Sequence, residues 1–133
     1  MKIGLVRRGH STTGGAEAYL IRLASALQAL GHTPVLVTTS DWPDSRWITS
    51  HIMRLGGGSP EEFATAFRAS ETRCDIHLSL ERVPGCEVYR AGDGVHAAWL
   101  ARRNAYEPFW RRATRWVNSK HSQLLKLENE VFD

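Results

Sequence analysis

The sequence predicts an α/β fold with a largely parallel sheet flanked by helices. Three observations carry this. The runs "KIGLV" and "PVLVTT" are short, apolar and β-branched, as buried strands are. Between them Ala16, Tyr19, Leu20, Leu23, Ala24, Leu27 and Leu30 fall at helical spacing and form one apolar stripe. The pair Gly14-Gly15 opens that helix, and Gly31, followed by His32, Thr33 and Pro34, closes it. A strand–loop–helix–strand unit with a right-handed crossover makes its two strands parallel.

The remaining elements follow in order. "SDWPDSRW" reads as a polar loop punctuated by Pro43. "ITSHIMRL" supplies a further strand from Ile48, Ile52, Met53 and Leu55. After a glycine run, Ser59 as N-cap, Pro60 in the first turn and Glu62 as the third helical residue form a capping box. Phe63, Ala66 and Phe67 are the buried side of that helix. "DIHLSL" alternates, with Ile76, Leu78 and Leu80 on one face, and so reads as a strand. "ERVPGCE" is a turn around Pro84-Gly85, and "VYRAG" is a short strand. From Asp93 three amphipathic segments follow: "DGVHAAWLARRNAYE", "PFWRRATRWVN" after the break at Pro108, and "SKHSQLLKLENEVF", capped by Ser119. The last carries Leu124, Leu125, Leu127, Val131 and Phe132 on one face. A doubly wound sheet returns to another strand after such a helix, so the chain is expected to be the front part of something longer.

Composition bounds the rest. At 133 residues, 42% hydrophobic and 23% charged, the chain has the size and core content of one globular domain. Cys74 and Cys86 show no metal-ligand or CxxC spacing, which points to free thiols in a reducing compartment. Arg7 and Arg8 interrupt the N-terminal apolar run, and no apolar run approaches the roughly 20 residues that span a bilayer. A cytoplasmic protein is expected. The net charge of +3 hides an asymmetry. Up to Tyr89 nine basic and nine acidic residues cancel, whereas from Arg90 to Lys126 eight basic residues face only Asp93 and Glu107, a net of +6. This basic block is interleaved with Trp99, Tyr106, Phe109, Trp110 and Trp116.

Several residues are candidates for chemistry, each with a plainer role beside it. Gly14 and Gly15 lie where the first strand ends and a helix begins, a place where ligands of α/β sheets bind. The free N–H groups and partial positive charge of a helix start suit a phosphate; the plainer role is a tight turn. The loop matches neither the dinucleotide fingerprint nor a P-loop. With Gly14 as N-cap, Glu17 supplies the returning half of a capping box. Asp93, between two glycines at a strand end, is either a ligand-facing carboxylate or the N-cap of the next helix. His10, His32 and His77 form no metal spacing and read as loop or core residues. Trp99, Trp110 and Trp116 read as core or helix-packing residues. The basic helices fit a solvated cationic face or an anionic membrane surface. No nucleic-acid recognition motif accompanies them.

Taken together, "GGAEAYLIRLASALQALGHTPVLVTT" and "SLERVPGCEVYRAGDGVHAAWLARR" resemble the N-terminal domain of family 4 glycosyltransferases, which have the two-domain GT-B architecture. The likeness is to the bacterial enzymes that glucosylate the lipopolysaccharide core. The narrower motif, PG-x-x-VY-x-A-x-D, is matched by Pro84, Gly85, Val88, Tyr89, Ala91 and Asp93, and similarity extends to Glu128 and Phe132. The resemblance implies a Rossmann-like acceptor-side domain over residues 1–133, incomplete at its C-terminal end. It places Gly14, Gly15 and Ala16 near the donor phosphates and Asp93 near the reacting sugar, where it orients the acceptor hydroxyl or stabilises developing positive charge. His96 is a further candidate for substrate contact, because many relatives carry a histidine-containing loop in this region. The implied partners are a nucleotide-sugar donor as co-substrate and a glycan or lipid-linked acceptor, with no metal or other cofactor. The resemblance also favours membrane docking for Arg111, Arg112 and Arg115, since enzymes building lipid-linked glycans work at the inner face of a membrane. The expected function is sugar transfer, with this chain inactive by itself. The alternative is a stand-alone, non-catalytic nucleotide- or sugar-phosphate-binding module.

Overall fold

The computed structural model describes residues 1–92, 96–111 and 119–132, without the side chains of His96, Ser119 and Lys120. Five strands, β1 (Lys2–Val6), β2 (Thr33–Thr38), β3 (Ile52–Arg54), β4 (Ile76–Ser79) and β5 (Val88–Tyr89), form one sheet in the order β3-β2-β1-β4-β5. All neighbouring pairs are parallel, and Leu5 of β1 stands between Leu36 of β2 and Leu78 of β4. The described α-helices include α1 (Gly15–Ala29), α2 (Pro60–Ala69), α3 (His96–Tyr106) and α4 (Ser119–Phe132). The parallel, Rossmann-like sheet expected from the sequence is present.

Side-chain alternation along the strands divides the core in two. Ile3, Leu5, Leu36 and Leu80 join Leu20 and Ala24 of α1 in one cluster, against which Ile76 and Leu78 also pack. Val6 and Val37 join Phe63 and Phe67 of α2 in the other. Both faces are therefore covered, which is why β1 and β2 read as unbroken apolar runs. Each fully buried aliphatic side chain contributes roughly 1.5–3 kcal/mol to this core.

Local signals set the helix ends. Ser59 Oγ accepts from Glu62 N at 3.2 Å, Glu62 Oε2 accepts from Ser59 N at 3.1 Å, and the expected capping box starts α2. Gly31, at φ +85°, ends α1. Its N–H donates to Gln28 O and that of His32 to Leu27 O, both at 3.0 Å, which makes a Schellman motif.

Two expectations need correction. "SDWPDSRW" is not simply a polar loop: it contains a 3₁₀ turn, Asp44–Arg46, and buries Trp42 and Trp47 edge-to-face at 6.2 Å. Both rings belong to the α1-side core, so the loop after β2 closes that core. Conversely, Trp110, read as a packing residue, is 59% exposed, whereas Trp99, 44% exposed, does pack between helices, stacking on the His121 ring of α4 at 6.3 Å. Trp116 lies outside the described residues.

α4 is tied into the domain by charge. Its buried Glu128 accepts from Arg82 Nε at 2.8 Å and from Ala97 N, in the first turn of α3, at 3.0 Å. Lys126 reaches Glu61 at 2.7 Å, and Glu130 pairs with Arg68. Phe132 meets the Tyr89 ring at 5.8 Å.

Candidate functional site

The strand order changes direction at β1, so the crevice outside the carboxyl ends of β1 and β4 is where a ligand of such a sheet sits. Four charged side chains meet at that edge. Arg7 and Arg8 follow β1 directly, Glu17 lies in the first turn of α1, and Glu81 follows β4. Arg7 places Nη2 3.4 Å from Glu17 Oε1 and Nη1 3.4 Å from Glu81 Oε1. Glu81 also accepts from Arg8 N at 2.7 Å, and Arg8 Nη1 donates to Gly58 O at 3.0 Å.

This network shapes the β1–α1 loop. Glu17 is only 5% exposed, and its Oε1 accepts from Ser11 N at 3.0 Å. The expected capping box is thus absent: among the described residues no hydrogen bond joins Glu17 to Gly14 N, and the carboxylate holds the preceding loop instead. Gly9, at φ +70°, turns the chain so that its N–H reaches Thr39 Oγ1 at 3.0 Å. The Thr39 hydroxyl donates to Asp41 Oδ1 at 2.6 Å. That bond, first, and the Asp41 backbone N–H, with smaller help from the charges of Arg8 and His10, hold the Asp41 carboxyl below its ordinary pKa despite desolvation. His10 meets the Trp42 ring edge-on at 5.0 Å.

The paired glycines have different surroundings. Gly14 is the N-cap of α1, and a Cβ there would stand 2.1 Å from Glu17 Oε2. Gly15, the first helical residue, is exposed, and a Cβ there would meet nothing within 4 Å. Ala16 is half-buried and packs on the α1-side core. Three polar atoms near this edge, Arg7 Nε, Arg8 Nε and Glu17 Oε2, are buried without a hydrogen-bond partner among the described residues. The edge therefore combines the open helix start at Gly15 with two guanidinium groups and the two carboxylates, Glu17 and Glu81, that pair with them.

The structure brings Gly14, Gly15 and Ala16 together with residues that sequence reasoning did not assign to the site: Arg7, Arg8, Thr39, Asp41 and Glu81. A signal for the first two was present, since paired arginines directly after a buried strand have to stand at its carboxyl end. Asp93 lies outside the described residues, as do Arg112 and Arg115, and His96 is placed only as the first residue of α3. Arg90, just before that segment, sets its guanidinium over the Tyr19 ring of α1 at 4.2 Å. Arg111 is exposed and lies over Trp110 at 5.2 Å. Both cysteines are free thiols: burial pushes Cys86 up to about 12 and also raises Cys74.

The parallel sheet and its loop cluster define a Rossmann-like α/β domain of the kind that binds ligands over strand ends. A solved structure with this fold is that of WaaG, a glycosyltransferase involved in lipopolysaccharide biosynthesis, with a TM-score of 0.70 and 19% sequence identity. The likeness covers 96% of this chain and 35% of that one, so the chain spans about a third of the solved protein's length. At that identity the likeness establishes the shared fold. No protein-family model and no curated protein matches the chain.

Proposed function

We propose that the chain is the acceptor-side, N-terminal part of a two-domain glycosyltransferase moving a sugar from a nucleotide-sugar to a glycan or lipid-linked acceptor of the lipopolysaccharide-core type. The observation that carries this is the open start of α1 at Gly15, flanked by Arg7 and Arg8, in a domain with the fold of a lipopolysaccharide glycosyltransferase. The helix start supplies positive potential for the departing diphosphate, and Arg7 and Arg8 would join it only by exchanging their Glu17 and Glu81 partners for the phosphate. Asp93 acts on the acceptor hydroxyl or on the positive charge developing on the sugar. The donor's remaining contacts come from a second domain beyond residue 133. The glycine pair tests this reading in a protein carrying both domains. Gly15→Val should leave the melting temperature nearly unchanged, because its side chain enters open space, while raising the donor KM or lowering kcat. Gly14→Ala should lower stability by about 1 kcal/mol or more, since it displaces the buried Glu17 carboxylate. Unchanged kinetics in Gly15→Val would refute the phosphate role.

The same reading places the domain at an anionic membrane surface. Tyr106, Phe109 and Trp110 are 85%, 78% and 59% exposed, and Arg102, Arg103 and Arg111 are exposed beside them. No helix among the described residues is long and apolar enough to cross a membrane. A surface-lying aromatic and basic patch needs none. Changing Arg111, Arg112 and Arg115 together to Ser should weaken co-sedimentation with anionic vesicles by up to roughly 100-fold, at about 1 kcal/mol per charge. High salt should mimic the change, and salt-insensitive binding would exclude this electrostatic account.

A further inference from the structure

A second group of reactive side chains lies on the other face of the sheet, away from the carboxyl edge. His77, in β4, takes two partners through its ring: Nδ1 lies 3.0 Å from Glu87 Oε2 and Nε2 lies 2.5 Å from Thr72 Oγ1. Glu87 Oε2 also accepts from His77 N at 2.7 Å. Burial raises the Glu87 carboxyl, but the backbone N–H groups of His77 and Glu87 and the His77 ring outweigh it and hold the group below its ordinary pKa. A carboxylate can only accept, so in the neutral ring Nδ1 carries the proton and Nε2 accepts from the Thr72 hydroxyl. The order is hydroxyl, imidazole, carboxylate, that of an activated nucleophile with its base and orienting group.

Two further features mark a built site. The three residues line a pocket of about 270 Å³ with Phe67, Arg68 and Gly85. The His77 ring stands edge-on to Phe67 at 5.2 Å, and a Cβ at Gly4 in the central strand β1 would come within 2.7 Å of His77 Cδ2. A glycine weakens a strand interior, and here it leaves the ring its space.

We propose that Thr72, His77 and Glu87 form an acyl-transfer site that hydrolyses small esters of short-chain carboxylic acids. The Thr72 Oγ attacks the ester carbonyl carbon while its proton passes to His77 Nε2. The tetrahedral intermediate collapses as the ester C–O bond breaks, and the leaving alcohol takes the proton from Nε2. Water then attacks the acyl-threonine, gives a proton to Nε2, and releases the acid as that proton returns to Thr72 Oγ. Glu87 keeps the ring in the working tautomer and stabilises its charged form. Arg68 also lines the pocket and is paired with Glu130 of α4.

The test uses the 133-residue chain with p-nitrophenyl acetate. Hydrolysis should exceed that of Thr72→Val and His77→Gln by roughly 100-fold or more, the usual contribution of a positioned base. Acid quenching during turnover, followed by peptide mass spectrometry of the unaltered protein, should find the acetyl group on Thr72. The location of the acetyl group decides the matter even where a variant fails to fold. Equal rates in folded variants, or acetylation at other residues only, would overturn the proposal.

Discussion

Replacing Asp93 by Asn, in a protein that joins this domain to a donor-binding one, is expected to cut kcat by about 10²-fold or more. The substitution keeps size and hydrogen-bonding reach and removes only charge. If Asp93 merely capped a helix, the change would be nearly neutral, because Asn caps about as well as Asp. Steady-state kinetics of the folded variant, checked by circular dichroism, decide the point. Wild-type kcat would return Asp93 to a structural role.

Glu128→Ala is expected to lower the stability of the 133-residue chain by about 3–5 kcal/mol, the usual cost of removing one partner from a buried ion pair. The Glu128 and Arg82 side chains are 4% and 10% exposed, so the Arg82 guanidinium would lose this carboxylate in a largely buried setting. Ala97 N would lose its acceptor at the same time. Urea denaturation should show a lower midpoint, and hydrogen exchange should quicken first in α3 and α4. By contrast, Lys126→Ala should cost under about 1 kcal/mol, because its pair with Glu61 is solvated. A loss below about 1 kcal/mol for Glu128→Ala would refute a stabilising role for its contacts with Arg82 and Ala97.

What could be read in advance was what neighbouring residues settle among themselves. The α2 capping box spans Ser59 to Glu62, and the Schellman stop spans Leu27 to His32. The period of two in "DIHLSL" was legible because a strand faces a core whatever lies across it. The resemblance in the glycine loop pointed to a glycosyltransferase fold, and a structure of that fold is similar over 96% of the chain. The misreadings have one cause. Trp42 and Trp47 sit among polar residues in sequence, and only the return of their loop over the α1-side core buries them. Trp110 sits on a helical pattern, but the described structure leaves it exposed.

The sequence by itself determined the strands, the start of α2, the end of α1 and the parallel α/β class, because capping, periodicity and glycine stops act over three to six residues. The expected start at Asp93 and most of the segment after Pro108 lie outside the described residues. The tertiary structure alone decided who meets at the site. Arg7 faces Glu81 across 74 positions of chain, since β4 rather than β2 fills the other side of β1. Once that carboxylate stands beside the loop, Glu17 and Glu81 share Arg7 between them. Glu17 holds Ser11 rather than capping its own helix, and Gly14 must lack a side chain to leave its carboxylate room. Strand order sets these meetings, and strand order depends on long-range packing of the whole sheet, which leaves no mark in any short stretch of residues.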